Sequence, residues 1–454
     1  MLISRVQPMR GWLYDFISQK QFFWFMFPLL LLFGWPIENL ESFRDNTNLG
    51  WQRYARIVLF IGFFFYYLLE ITRKSRFRLP ASAPVVLFLI YGVYAGISAV
   101  YSPEPLQTAW KAFELIVVLL FGLRLYEGYQ MRPMNAVADT NAIAYIAFTL
   151  CLMSIVGGFV APEHAWLDFG MQGIGARSMA GVAPSVNPNT LGQLGSIVFL
   201  VGFARLLSSD TSHRLGSTIL VLVGLATLFL AYSRTSIVAT LVVAVLLMFL
   251  MRKFSLVVLS VPIVAILSLL FADSFLVYLA RGQSTEQFTS LSGRTYMWEA
   301  ALEGWRSSPW FGHGFFVGHK YVQLGYRGFL ETTDNTYVET LVNLGIVGFS
   351  LISLFAFSAV LLARNTLSLA LRADRKLFSS SVVLMSFVVV IVIRSLTASS
   401  FQVLHYNLVF FMVSIMALTS IRNGIRKYPR QLGTNTPSVA IDYVGGKAAA
   451  VAKR

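Results

Sequence analysis

The chain reads as an all-α polytopic membrane protein of about twelve transmembrane helices, with one large loop on the outer face between the ninth and tenth. Three observations predict this. Apolar runs of about 20 residues, enough to cross roughly 30 Å of hydrocarbon, recur along the 454-residue sequence. Only 13% of the residues are charged and 56% are hydrophobic, where a soluble chain carries about a quarter charged residues. The basic residues also fall in short loops on one side of alternating runs, which is the positive-inside pattern of membrane helices.

The runs lie near residues 22–38, 55–72, 83–100, 110–126, 141–161, 189–207, 215–231, 235–251, 254–272, 337–363, 378–397 and 401–421. In hydrocarbon a backbone must satisfy its own hydrogen bonds, so runs of this length are helices. The first run follows Arg5, Arg10 and Lys20 but ends in no small-residue cleavage site, so it reads as a retained span. Residues 1–272 thus hold helices one to nine, 273–336 form an outer loop domain, and 337–421 hold helices ten to twelve. Residues 422–454 are a polar, Ala/Gly-rich tail, expected to be disordered.

The net charge of +15 invites a nucleic-acid partner, but its distribution argues against one. Arg73-Lys74-Ser75-Arg76-Phe77-Arg78, Arg205 and Arg214, Arg252-Lys253, Arg364 to Lys376, and Arg422 to Arg430 all fall on one side if twelve spans alternate. That side is cytoplasmic and both termini lie on it. The single cysteine, Cys151, sits inside an apolar run, which leaves neither a disulfide framework nor a thiol metal site. The polar residues concentrate on the outer face, not inside the spans. That favours a surface enzyme over a transporter, which needs a polar pathway.

Four arginines break the charge rule by standing in outer loops at or near helix ends: Arg177, Arg234, Arg294 and Arg394. One such arginine reads as a snorkelling side chain; several on one face read as a site for an anion, because the planar guanidinium grips phosphate through a fork of donors. Asn187-Pro188-Asn189 opens the sixth helix as a capped turn, or as amides aimed at a phosphate from a helix N-terminus. A helical pattern from Ser292 to Trp305 puts Trp298, Leu302 and Trp305 on one face, suited to the membrane surface or to stacking on sugar rings. At the start of helix ten, Thr336 and Glu339 have capping-box spacing, and Asp334 or Asn335 are alternative caps. A carboxylate at such an N-terminus stays ionised and can accept the proton of a sugar hydroxyl. Glu299, Glu303 and Glu331 are further carboxylates in this loop and alternative bases. His164, His313 and His319 have no metal-ligand spacing.

These features resemble the bacterial O-antigen ligase and O-antigen polymerase superfamily. Its motif is His, then Asn, Ser or Gln, nine residues, Gly, two residues, and Gly, Thr or Tyr. Here Asn335, Gly345 and Gly348 fit that spacing, and Asp334 stands where the ligases have His. Arg177 with Asn187-Pro188-Asn189, Ser233-Arg234, and Gly293-Arg294 through Trp298 to Gly312 add to the likeness. The resemblance implies a GT-C-like membrane glycosyltransferase of the bacterial inner membrane, acting at the periplasmic face on an undecaprenyl-diphosphate-linked glycan. It also implies inverting transfer with no metal or other cofactor. Arg177, Arg234 and Arg294 would bind the diphosphate, Asp334 would be the base, and Asn187, Asn189, Asn335, Tyr337 and Arg394 would support them. Aspartate in place of histidine points to a polymerase, with a chain-length regulator as a possible partner class. A ligase passing the glycan to lipid A-core or to a protein is the alternative.

Overall fold

A computed structural model describes residues 51–73, 80–131, 134–168, 177–182, 186–208, 214–259, 262, 266, 294–324, 333–373, 375–401 and 406–427. The expected first span, most of the ninth, residues 273–293 of the outer loop and the tail beyond 427 lie outside these described residues.

The described chain is helical apart from one short hairpin. Its elements are α1 (Trp51–Arg73), α2 (Ala83–Ile97, extended by a 3-10 turn Ser98–Val100), α3 (Pro105–Met131), α4 (Met134–Val160) and the single turn α5 (Pro162–Ala165). The strands β1 (Trp166–Asp168) and β2 (Arg177–Met179) follow, then α6 (Pro188–Leu207), α7 (Arg214–Leu230) and α8 (Arg234–Leu250). The rest is α9 (Arg294–Arg306), α10 (Gly318–Leu324), α11 (Thr336–Ala373), α12 (Arg375–Arg394) and α13 (Tyr406–Lys427). Among the described residues seven helices are long and apolar enough to cross a membrane: α2 with its extension, α3, α4, α6, α11, α12 and α13. The apolar stretches of α1, α7 and α8 are shorter. At 17 residues each, α7 and α8 run about 26 Å, just under the hydrocarbon thickness. The protein is therefore an all-α, multi-pass membrane protein. The antiparallel pair β1–β2, in register Trp166↔Met179 and Asp168↔Arg177, is a local departure that the helical reading did not include.

Hydrogen bonds sort the helix termini into two ends. At one end Tyr101 Oη donates to Phe311 O (2.9 Å), Phe315 N donates to Ser98 Oγ (3.0 Å), and Thr336 N donates to Ser395 O (2.9 Å). At the other, Thr419 Oγ1 donates to Ser82 Oγ (3.1 Å) and Arg205 Nη2 donates to Asn141 Oδ1 (2.7 Å). Between them Phe355 of α11 packs its ring against Phe88, Phe401 and Phe411 at 5.1, 5.7 and 5.3 Å. Helices α6 and α7 touch through glycine: a Cβ on Gly224 would lie 2.5 Å from Phe199 N, and one on Gly202 would lie 2.6 Å from Ser217 O. Small residues allow that close backbone approach, which is how helices associate where lipid removes the hydrophobic drive.

Helix α11 continues ten residues past the expected span, to Ala373. Its 38 residues would run about 57 Å if straight, well beyond a bilayer. It breaks at Gly345 (φ 64°, ψ −165°), and the backbone groups released there are filled by the 309–314 loop. Ile346 N donates to Pro309 O (2.9 Å), His313 N to Val342 O (3.0 Å) and Gly314 N to Asn343 O (2.9 Å).

Candidate active site

The end of the bundle that holds Asp334 is built by helix starts. Asn335 caps α11, its Oδ1 accepting from Tyr337 N (2.9 Å) and Val338 N (3.1 Å). Of the alternatives open from sequence, Asn335 is thus the cap and the Thr336–Glu339 box is not formed. Thr336 Oγ1 donates to Ala398 O (3.0 Å), and Glu339 accepts from Ser399 Oγ (2.5 Å). Both bonds tie the start of α11 to the corner after α12. Asp334 precedes the cap with φ 50°, a left-handed geometry that aspartate tolerates better than most residues.

Helix α9 delivers Arg294 to this point. Arg294 Nε and Nη2 both donate to Asp334 Oδ2, at 3.2 and 3.0 Å. Trp298, one turn on, donates its Nε1 to Thr333 O (2.9 Å) and fixes the approach. The buried residue of α9 is Ala301, while Leu302 is exposed. The inward stripe is therefore Arg294, Trp298 and Ala301. Leu302, one turn from each tryptophan, is the exposed member of that face, and Gly304 packs closely against Val322 of α10. Trp305 Nε1 donates to Pro309 O (3.0 Å), so both indoles are used in holding loops. Glu299 and Glu303 lie on the exposed side, and Glu331 lies outside the described residues.

Arg394, the last residue of α12, is only 2% exposed. Its guanidinium donates to Thr235 Oγ1 at the start of α8 and to Asn189 O at the start of α6 (3.3 Å), while Nε has no hydrogen-bond partner. It is not a snorkelling side chain. Asn187 caps α6, accepting from Asn189 N (2.8 Å), and Asn189 Oδ1 accepts from Ser233 Oγ (3.1 Å). Tyr337 Oη accepts from Ser395 Oγ (3.1 Å), next to Arg394. The charge of Arg294 acts on both Arg234 and Arg394, and that of Asp334 acts on Arg394. Three guanidinium groups and one carboxylate thus share one electrostatic neighbourhood with a net positive charge, at the N-termini of α6, α8 and α11. Both features favour an anion.

Arg177 is placed on a separate element, at the exposed start of β2 and opposite Asp168. Strand β2 leads to α6 through Val186 N, which donates to Ala180 O (2.8 Å). Strain concentrates at this end as well. Of four non-glycine residues with positive φ among those described, Tyr232 (49°), Phe316 (67°) and Asp334 (50°) lie here, and each such position costs about 1–3 kcal/mol. Sequence reasoning missed the neighbouring group of Glu339, Ser399 and His319. His319 is fully buried, with Nδ1 3.9 Å from Glu339 Oε1. Glu339 was legible only as half of a capping box and His319 only as a histidine without metal spacing. Among the described residues no three His, Cys, Asp or Glu side chains gather as for a metal ion.

Residues 219–353 match the family model described as O-antigen ligase. This segment of the chain is similar to an O-antigen ligase domain. The superfamily resemblance seen in Asn335, Gly345 and Gly348 is borne out. The domain match supports an enzyme's part in O-antigen or polysaccharide assembly. It runs from α7 into α11 and takes in Arg234, Arg294 and Asp334, while Arg177 and Arg394 fall on either side. No curated protein matches the chain. The break in α11 gives the domain's glycines a physical role. A Cβ on Gly345 would stand 2.2 Å from Trp310 O, and one on Gly348 would stand 2.2 Å from Leu344 Cβ.

Proposed function

We propose that the protein is a membrane glycosyltransferase that polymerises undecaprenyl-diphosphate-linked oligosaccharide repeat units into O-antigen or exopolysaccharide. It works at the periplasmic face of the bacterial inner membrane, where residues 273–336 form the loop domain. The observation that carries this reading is the Arg294–Asp334 ion pair at the start of α11, with the buried Arg394 bridging the starts of α6 and α8 at the same end of the bundle. Arg177 joins them from β2 as a diphosphate ligand. Asn187, Asn189, Asn335 and Tyr337 hold the frame.

In this mechanism an acceptor hydroxyl attacks the anomeric carbon on the side opposite the diphosphate. The new C–O bond forms as the old one breaks, and the electron pair leaves on undecaprenyl diphosphate. The hydroxyl proton passes to Asp334, and the configuration inverts. Fixed guanidinium groups stabilise the charge that develops on the leaving group, which is the task of a metal in other transferases. Arg294 gives two donors to Asp334, so a diphosphate that draws on the same guanidinium weakens that bridge and frees the carboxylate for proton transfer.

A ligase passing the glycan to lipid A-core or a protein is the second reading, favoured by the description of the matched domain. The test is turnover of purified lipid-linked glycan by wild type, Asp334→Asn and Asp334→His. Longer lipid-linked chains from wild type, none from Asn and partial recovery with His are expected. Chains that stay at one repeat while label moves to lipid A-core or protein make it a ligase. An Asp334→Asn enzyme with wild-type rate removes Asp334 as the base.

A further inference from the structure

The loop between α9 and α10 is fastened to the bundle by its backbone. Trp310 O accepts from Val347 N (3.4 Å) just past the break in α11, and Phe311 O accepts from Tyr101 Oη (2.9 Å) at the end of α2. Further along the loop, Phe315 and Val317 are buried. The side chains of Trp310 and Phe311 are instead 66% and 58% exposed. Two adjacent large aromatic residues standing out from so firmly held a backbone mark an interaction surface.

Helix α2 identifies what covers them. Its exposed residues Val86, Ile90, Val93, Ile97 and Val100 recur at steps of four and three, which is one stripe of a helix. On an apolar span, Ala83–Val100, such a stripe faces lipid. The 18 residues of that span rise about 27 Å, close to the hydrocarbon thickness. Tyr101 follows at once, so the loop it holds stands at the hydrocarbon boundary, where the lipid-facing stripe ends. Tryptophan and tyrosine concentrate at that boundary, because an apolar ring with a polar edge suits one apolar and one wet neighbour.

We propose that Trp310 and Phe311 seat this loop in the headgroup–acyl boundary of the leaflet at the Asp334 end of the bundle. The bilayer is then a third support, beside α2 and α11, for the segment that carries Arg294. The contact is independent of the reaction catalysed: a protein that fails every glycan-turnover assay keeps it.

The test uses the full-length protein in nanodiscs of phosphatidylethanolamine and phosphatidylglycerol. The single cysteine, Cys151, is buried, and changing it to alanine lets Phe311→Cys carry the only nitroxide label. Power-saturation EPR compares collisions with oxygen, which concentrates in lipid, and with a neutral nickel chelate, which stays in water. Val93→Cys on the stripe supplies the lipid reference, and Glu299→Cys on the exposed side of α9 supplies the aqueous one. The label at 311 is expected on the lipid side of the Glu299 value, with oxygen collisions the more frequent. A label that behaves like the one at 299 puts the loop in water and overturns the proposal. A label shielded from both probes means that protein covers the rings, either another part of this chain or a second copy, and overturns it as well. A second reading leaves residue 311 native. Lipids brominated near the headgroup should quench the fluorescence that wild type has and Trp310→Phe lacks; equal quenching of the two proteins counts against the membrane contact and overturns it.

Discussion

Replacing Gly345 with alanine should undock the loop that brings Arg294 to Asp334. The backbone at Gly345 has φ 64° and ψ −165°, a region essentially closed to residues with a Cβ, and occupying it costs about 1–3 kcal/mol. The added Cβ would also meet Trp310 O at 2.2 Å and Trp310 C at 2.3 Å. These are backbone atoms of the docked segment, so no side chain can swing away. Relief requires the segment to move, which breaks the bonds Ile346 N–Pro309 O, His313 N–Val342 O and Gly314 N–Asn343 O. At about 1 kcal/mol net for each bond, the total with strain is roughly 4–6 kcal/mol. Limited proteolysis of the purified protein reads the undocking directly, and glycan turnover reads its consequence. Gly424→Ala is the control: nothing lies within 4 Å of a Cβ there, and in a helix the change should stabilise by up to about 1 kcal/mol. A Gly345→Ala protein with wild-type protease resistance and melting would refute the reasoning, because the docked geometry could not then be what holds the loop.

The remaining expectations are shorter. Asn335→Ala leaves Tyr337 N and Val338 N without their acceptor and should cost about 0.5–2 kcal/mol, with Asp or Ser at 335 restoring most of it; thermal melting of the three variants checks this. Arg394→Ala removes a preorganised donor from the buried end of the cluster and should lower kcat/KM for the lipid-linked donor by roughly 10² or more. Arg394→Lys should recover little, since an ammonium cannot reproduce a fork that reaches both α6 and α8; a rate equal to wild type in either variant removes Arg394 from the site. Activity should survive EDTA treatment, because arginines hold the diphosphate in this scheme. Strict dependence on a divalent ion would sink that part.

The amino-acid sequence by itself determined the membrane character and the placing of the long helices, because hydropathy is a local, additive property of twenty-residue windows. It also placed Arg234, Arg294 and Arg394 at helix ends, since charge against a positive-inside background is read residue by residue, whereas Arg177 is corrected to the start of a strand. The glycine spacing after Asn335 was legible too, although its cause was not. Partnerships across long separations were decided only by the tertiary structure. Arg294 meets Asp334 across 40 residues and Arg394 meets Asn189 across 205, and no local pattern encodes which helix ends pack together. The break at Gly345 arises because a loop inserts there; in the sequence it is one more glycine in an apolar run. That Ala301 is the buried residue of α9, and that Gly304 admits Val322, are fits between packed surfaces. Glu339 changed most, from half of an expected cap to a buried carboxylate beside His319. That followed once Asn335 took the cap and Ser399 arrived from the corner after α12 to meet it.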